Sequence, residues 1–116
     1  MARSIKIKGK DAVLTDLIGK TFDKVEQVYE GGTYQVWFRG SEDFCLWGAS
    51  CCCDVASIDT VFGDLNSVAG EIQKVSINND LYMFANTNGD SATVKWYSKH
   101  PRFLEKGVKL TRKGKA

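Results

Sequence analysis

Residues 21–40, TFDKVEQVYEGGTYQVWFRG, contain two runs rich in β-branched and aromatic residues, 21–29 and 33–39, on either side of Glu30-Gly31-Gly32. Such runs suit a pleated, half-buried surface, and paired glycines supply the positive φ that a tight turn demands, so the stretch reads as a β-hairpin. Alternation along the second arm puts Tyr34, Val36 and Phe38 on one face and Gln35, Trp37 and Arg39 on the other. Trp37 is then an aromatic turned away from the core, exposed unless another segment covers it.

Working outward, the same signals recur. Asn88-Gly89, between the runs 81–87 and 91–98, is the strongest short hairpin signal in the chain. Further strands are expected at 44–47, 71–77 and 108–111. Two helical segments interrupt them. Asp11 can cap a helix whose Val13, Leu14, Leu17 and Ile18 form a one-sided apolar stripe ending at Gly19, and Asp64 can start a helical turn through Leu65, Val68 and Ala69, closed by Gly70. Strands outnumber helices and short turns join most of them. The expected fold is therefore α+β: a small single domain, mainly antiparallel sheet with one or two short helices.

A chain of 116 residues is one domain by size, and 43% hydrophobic residues suffice for a single core without metals or disulfides. The domain is taken as 1–116, with the basic arm 1–10 and the basic tail 112–116 expected to be flexible. No apolar run approaches the ~20 residues that span a bilayer, and residues 1–10 carry no stretch of signal-peptide type. The expectation is a cytoplasmic protein with reduced cysteines and no membrane partner.

The formal charge of +2 hides segregation. Residues 1–10 hold four bases (Arg3, Lys6, Lys8, Lys10) and no acid, and residues 95–116 hold eight bases against Glu105 alone. Between them, residues 11–94 hold four bases and thirteen acids. Basic ends on an acidic body admit partners of either sign, or ends folded back on the body.

Cys45, Cys51, Cys52 and Cys53 fall within nine positions. Structural zinc usually takes two separated ligand pairs, and three consecutive cysteines in a strand alternate between faces. Packing of a central strand is the preferred reading; a reactive thiol, or a zinc site adding His100, is the sharper alternative. No phosphate-binding loop, nucleophile elbow or acid–histidine pair is present, so no catalytic residue, metal ligand or cofactor is assigned and the chain is not expected to be an enzyme. Asp54, Asp59 and Asp64 would hold a hard cation only if the fold gathered them.

Several stretches resemble a family of short proteins encoded mostly by bacteriophages and by bacteria carrying prophages. They are Leu17-Ile18-Gly19-Lys20-Thr21-Phe22, Cys52-Cys53-Asp54 with Ile58-Asp59 and Gly63-Asp64-Leu65, and Val94-Lys95-Trp96-Tyr97. The similarity runs over residues 14–110, and the family pattern reads LIGKT, then H-x-Q-D-C-C-E followed by I-E-D-I-x-G-D-L, then R-W-Y-G. The interval from the cysteine pair to Gly-Asp-Leu is kept without a gap. Gly48 stands where the pattern has histidine, and Ser50 and Cys51 where it has Gln-Asp, so a histidine–thiolate pair is missing here. The resemblance implies no activity.

The expected function is that of a small phage-type binding protein acting through protein–protein contact and modulating or inhibiting a host or viral factor. Trp37 and Trp47 are its candidate anchors. The alternative is a nucleic-acid-binding accessory protein using the C-terminal basic segment, with Lys99, Arg102, Lys106, Lys109, Arg112 and Lys113 as contacts and Trp96, Tyr97 and Phe103 interleaved. A homo-oligomer through the edge strand at 108–111 is a further expectation.

Overall fold

A computed structural model of the chain describes residues 5–30, 33–48, 57–97 and 102–112. Nine strands alternate with tight turns: β1 (Ile5–Ala12), β2 (Thr21–Glu30), β3 (Thr33–Gly40), β4 (Phe44–Gly48), β5 (Ile58–Gly63), β6 (Gly70–Asn78), β7 (Leu81–Asn86), β8 (Ser91–Trp96) and β9 (Arg102–Arg112). All pairings are antiparallel, in the order β1-β9-β4-β3-β2-β6-β7-β8-β5. The hairpin read from residues 21–40 is β2–β3, whose register runs from Glu30↔Thr33 to Phe22↔Gly40. Its Gly31-Gly32 turn lies outside the described residues.

The α+β expectation is corrected: the described residues contain no α-helix, only two single 3-10 turns, Leu14–Leu17 and Leu65–Val68. Asp11 is not a cap but belongs to β1. Between it and Gly19 lie too few residues to repay the cost of helix nucleation. Of the apolar stripe only Leu17 is buried, while Val13 and Ile18 are exposed. The sheet also competes for this backbone: Gly19 N–H donates to the Ile72 carbonyl at 2.8 Å, and Ile72 N–H donates back to Lys20 at 2.9 Å. Asp64 does cap as expected, accepting from Asn66 N–H at 3.0 Å, but Ala69 is already extended and the turn stops.

The sheet folds back on itself at a narrow hinge. β2 meets β6 only through Thr21↔Glu71 and Phe22↔Gly70, so the halves β1-β9-β4-β3-β2 and β6-β7-β8-β5 turn their faces toward each other. Val25, Val36, Phe38, Phe44, Leu46 and Leu104 from the first half meet Ile72, Tyr82, Phe84, Val94 and Trp96 from the second. Phe38 and Phe84 touch across the layer with ring centroids 5.1 Å apart in an edge-on arrangement. Leu17, Leu65 and Val68 from the two turns seal the core. At the far side Gln27 bridges β2 to β5: its amide donates to the Ile58 carbonyl at 3.0 Å and accepts from the Thr60 hydroxyl at 3.2 Å.

Along β7 and β8 burial alternates as a half-exposed sheet requires. β3 and β4 do not alternate, because a second cluster, Trp37 and Cys45 with Val28 and Trp47 against them, fills the outer face of the first half.

Candidate basic ribbon and apolar groove

β9 continues well past β4. β4 reaches only Lys106, whereas β1 follows β9 to Arg112. Beyond Lys106 the two strands form a ribbon of their own, composed of the two basic segments of the sequence. Over residues 5–12 and 104–112 the two basic segments pair with each other.

Their register is specific. Lys10 stands opposite Lys106 and Lys8 opposite Lys109, while Lys6 faces Thr111. Between the two lysine pairs β1 advances two residues and β9 three, the signature of a bulge, and Gly107 supplies the positive φ of 63° at that point. Without the extra residue, strand alternation would put positions 106 and 109 on opposite faces. The bulge restores the phase. Positions 12, 10, 8 and 6 of β1 stand in register with positions 104, 106, 109 and 111 of β9, and Asp11, Ile7 and Ile5 with Glu105, Leu110 and Arg112. Like charges directly opposed across strands are in general destabilising.

The same face leads into a groove. Ala12 and Leu104, in register two positions before Lys10 and Lys106, lie in the floor of a cavity of about 310 Å³ with Leu46, Tyr82, Val13 and Ile77. Val13 and Ile77, exposed by 62% and 55%, are large apolar residues facing solvent around this concavity. On the opposite, outer face of the sheet Phe103 stands in register with Trp47, ring centroids 4.8 Å apart and planes 36° apart.

The residues singled out from sequence divide accordingly. Trp37 is corrected as a binding anchor: it is 1% exposed, its indole N–H donates to Gln35 Oε1 at 2.7 Å, and the Arg39 guanidinium sits 4.3 Å from its ring. Trp47 is half-buried, packed against Trp37, Cys45 and Phe103 on the outer face. Arg102 lines the groove, yet its guanidinium is committed, 2.9 Å from Asp80 and stacked near Tyr82 and Trp96. Burial opposes its charge, but the hydrogen bonds to Asp80 and Tyr82 outweigh that and hold its pKa above the ordinary value. Lys106 and Lys109 are ribbon residues, and Arg112 pairs with Ile5 near the ribbon's end. Lys99 and Lys113 lie outside the described residues. Lys6, Lys8 and Lys10 were not singled out from sequence, although the alternation Ile5-Lys6-Ile7-Lys8 is a strand signal.

The thiol and acid constellations gain no support. Cys45 is buried and unoxidised, and burial first, then the Glu105 carboxylate, pushes its pKa far up, which leaves it a poor nucleophile. Cys51, Cys52, Cys53 and His100 lie outside the described residues. Among the described residues no three of His, Cys, Asp and Glu converge. A polar hollow of about 400 Å³ between β2 and β5 contains Glu26 and Asp64, but Glu26 already bridges Lys24 and Arg39 and Asp64 caps its turn. Gly48, where the phage-family pattern has histidine, ends β4 opposite Arg102. No helix among the described residues is long and apolar enough to cross a membrane. No family model, curated protein or solved structure matches the chain, so the site is read from its geometry alone.

Proposed function

We propose that the chain binds nucleic acid through the lysine face of the β1–β9 ribbon. The observation that carries this is the in-register opposition of Lys8 with Lys109 and of Lys10 with Lys106. Phosphate oxygens between such pairs remove the repulsion and release condensed counterions, which makes binding strongly dependent on salt and tolerant of sequence. The reading expected first, a protein-binding module acting on a host or viral factor, loses its main anchor with the burial of Trp37.

The test is fluorescence anisotropy of a labelled oligonucleotide against the whole protein over a salt series. Each phosphate contact contributes roughly 0.7–0.9 to the slope of log K against log salt, so Lys8→Gln with Lys109→Gln should lower the slope by about 1.5. No binding at about 50 mM salt, or a slope unchanged by the double substitution, removes this reading. A protein partner bound with little salt dependence would favour the other one.

A further inference from the structure

We infer that Asn88 is a site of spontaneous modification: the chain deamidates itself there by attack of the Gly89 amide nitrogen on the Asn88 side-chain carbonyl, and the product undoes a hydrogen-bonded clamp in the fold. The sequence supplies the pair. Of the asparagines in the chain, Asn66, Asn78, Asn79, Asn86 and Asn88, only Asn88 precedes a glycine, whose lack of a side chain leaves its nitrogen open to approach. The structure puts that pair at the tip between β7 and β8, where both residues are exposed. A Cβ on Gly89 would meet nothing within 4 Å, so the turn has room to bring nitrogen and carbonyl carbon together. The bond to be released runs from Gly89 N–H to the Asn86 carbonyl and is 3.2 Å long, at the outer limit of the usual range. Asn86 is the opposite case. It is 1% exposed, its amide is held by the Ser67 and Ala69 carbonyls, and the nitrogen that follows it, on Thr87, donates to Glu71 at 2.9 Å.

The step needs no reagent but water. The Gly89 nitrogen gives its proton to solvent base and bonds to Asn88 Cγ; the Cγ–Nδ2 bond breaks and the side-chain nitrogen leaves as ammonia, closing a succinimide ring. Water then opens the ring. Opening at the Cγ carbonyl leaves aspartate, whereas opening at the main-chain carbonyl leaves isoaspartate, whose main chain runs through Cβ and Cγ and is one carbon longer. That added carbon falls inside the clamp. Asn86 Oδ1 accepts from Asn88 N–H and from Asp90 N–H, both at 3.0 Å, and the insertion lies between these two donors. A longer link between donors that converge on one oxygen displaces at least one of them, and loosens the tie that Asn86 makes through Ser67 and Ala69 to the Leu65–Val68 turn. Aspartate at the same position keeps the main chain and adds only a charge.

The experiment ages the folded, whole chain in mildly alkaline buffer and follows every asparagine by peptide mapping with mass spectrometry, isoaspartate being told from aspartate by fragmentation and by labelling with isoaspartyl methyltransferase. Asn88 should convert first, with isoaspartate the larger product and a rate that rises in proportion to hydroxide, while Asn86 stays intact. Gly89→Ala should slow the conversion about tenfold, because a side chain next to the attacking nitrogen hinders its approach. In the isoaspartyl form the Asp90 amide should exchange its hydrogen about tenfold faster than in wild type, and in Asn88→Asp, which carries the charge on an unaltered main chain, at the wild-type rate. No conversion at Asn88, or conversion of Asn66, Asn78 or Asn79 ahead of it, overturns the site; this readout needs only wild type, so it stands even if Gly89→Ala fails to fold. A Gly89→Ala chain that converts as fast as wild type overturns the part given to the open nitrogen. An isoaspartyl form that protects the Asp90 amide as wild type does, or an Asn88→Asp chain that loses the same protection, overturns the loosening of the clamp.

Discussion

Trp37 gives its indole proton to Gln35, two residues earlier on the same strand, across 2.7 Å and with both side chains fully enclosed on the outer face of the sheet. Trp96, equally enclosed in the main core, has no acceptor for its indole N–H among the described residues. Replacing either by Phe removes the same atoms, but only Trp37→Phe deprives a buried acceptor of its donor. Trp37→Phe should therefore cost about 1–2 kcal/mol more than Trp96→Phe in denaturant unfolding. Equal losses would mean that the Gln35 contact contributes no net stability.

Asn86 should prove the least replaceable polar residue of the core. Its amide donates to the carbonyls of Ser67 and Ala69, at 3.1 and 2.9 Å, and its oxygen accepts from Asn88 and Asp90, both at 3.0 Å. One side chain thus ties the Leu65–Val68 turn to the β7–β8 turn. Asn86→Ala strands all four partners and should cost about 2–4 kcal/mol by chemical unfolding, well above a surface asparagine such as Asn78.

Two glycines should respond differently to alanine. Both have positive φ, 69° at Gly63 and 92° at Gly89. A Cβ at Gly63 would run into the Ser91 carbonyl oxygen of the paired strand, whereas one at Gly89 would meet nothing within 4 Å. Gly89→Ala should cost about 1 kcal/mol for the backbone conformation alone. Gly63→Ala should cost at least twice that or shift the β5–β8 pairing, visible as loss of amide protection along β5.

Cys45 should make stability depend on alkaline pH. Its thiol pKa is raised in the fold, by burial and then by Glu105, above the 9.0 of a free thiol. The unfolded chain therefore releases this proton first. The contribution is fully present below pH 9.0 and is lost as pH rises above it, by about 1.4 kcal/mol per unit. Cys45→Ala should flatten that limb of the curve in urea titrations between pH 8 and 10, although other titrating groups will keep some slope. Alkylation mapped by mass spectrometry should mark Cys45 only when the chain unfolds.

Lys106→Glu should separate stability from binding. Opposite Lys10 it replaces repulsion by attraction and should stabilise the fold by roughly 0.5 kcal/mol at low salt, the gain fading as salt screens it. Oligonucleotide binding should fall at the same time. A variant that both loses stability and loses binding would assign Lys106 a structural role instead.

How much of this was legible in the chain depends on distance along it. The hairpins β2–β3 and β7–β8 could be read because partner and turn are contiguous, Gly31-Gly32 in one and Asn88-Gly89 in the other. β1 was hidden because its partner comes eight strands later in sequence order, and a lysine-rich start looks like a solubilising arm until that partner is known. β5 was hidden by its bulge, which leaves Val61 and Phe62 both exposed and breaks the period-two pattern. The helix expected at residues 12–18 failed because an apolar stripe shows which residues share a face, not whether a sheet will claim their backbone. Lys106 and Lys109 could be listed from sequence, but their register with Lys10 and Lys8 could not, since it depends on one added residue at Gly107.

The pairing of β1 with β9 also has a consequence in time. A nascent chain makes β1 first and must then wait for every other strand before its partner leaves the ribosome. Until that moment Lys6, Lys8 and Lys10 have no opposed lysines and no groove beside them. A product interrupted anywhere before β9 would carry β1 without its partner, so the ribbon arises only once β9 has been made.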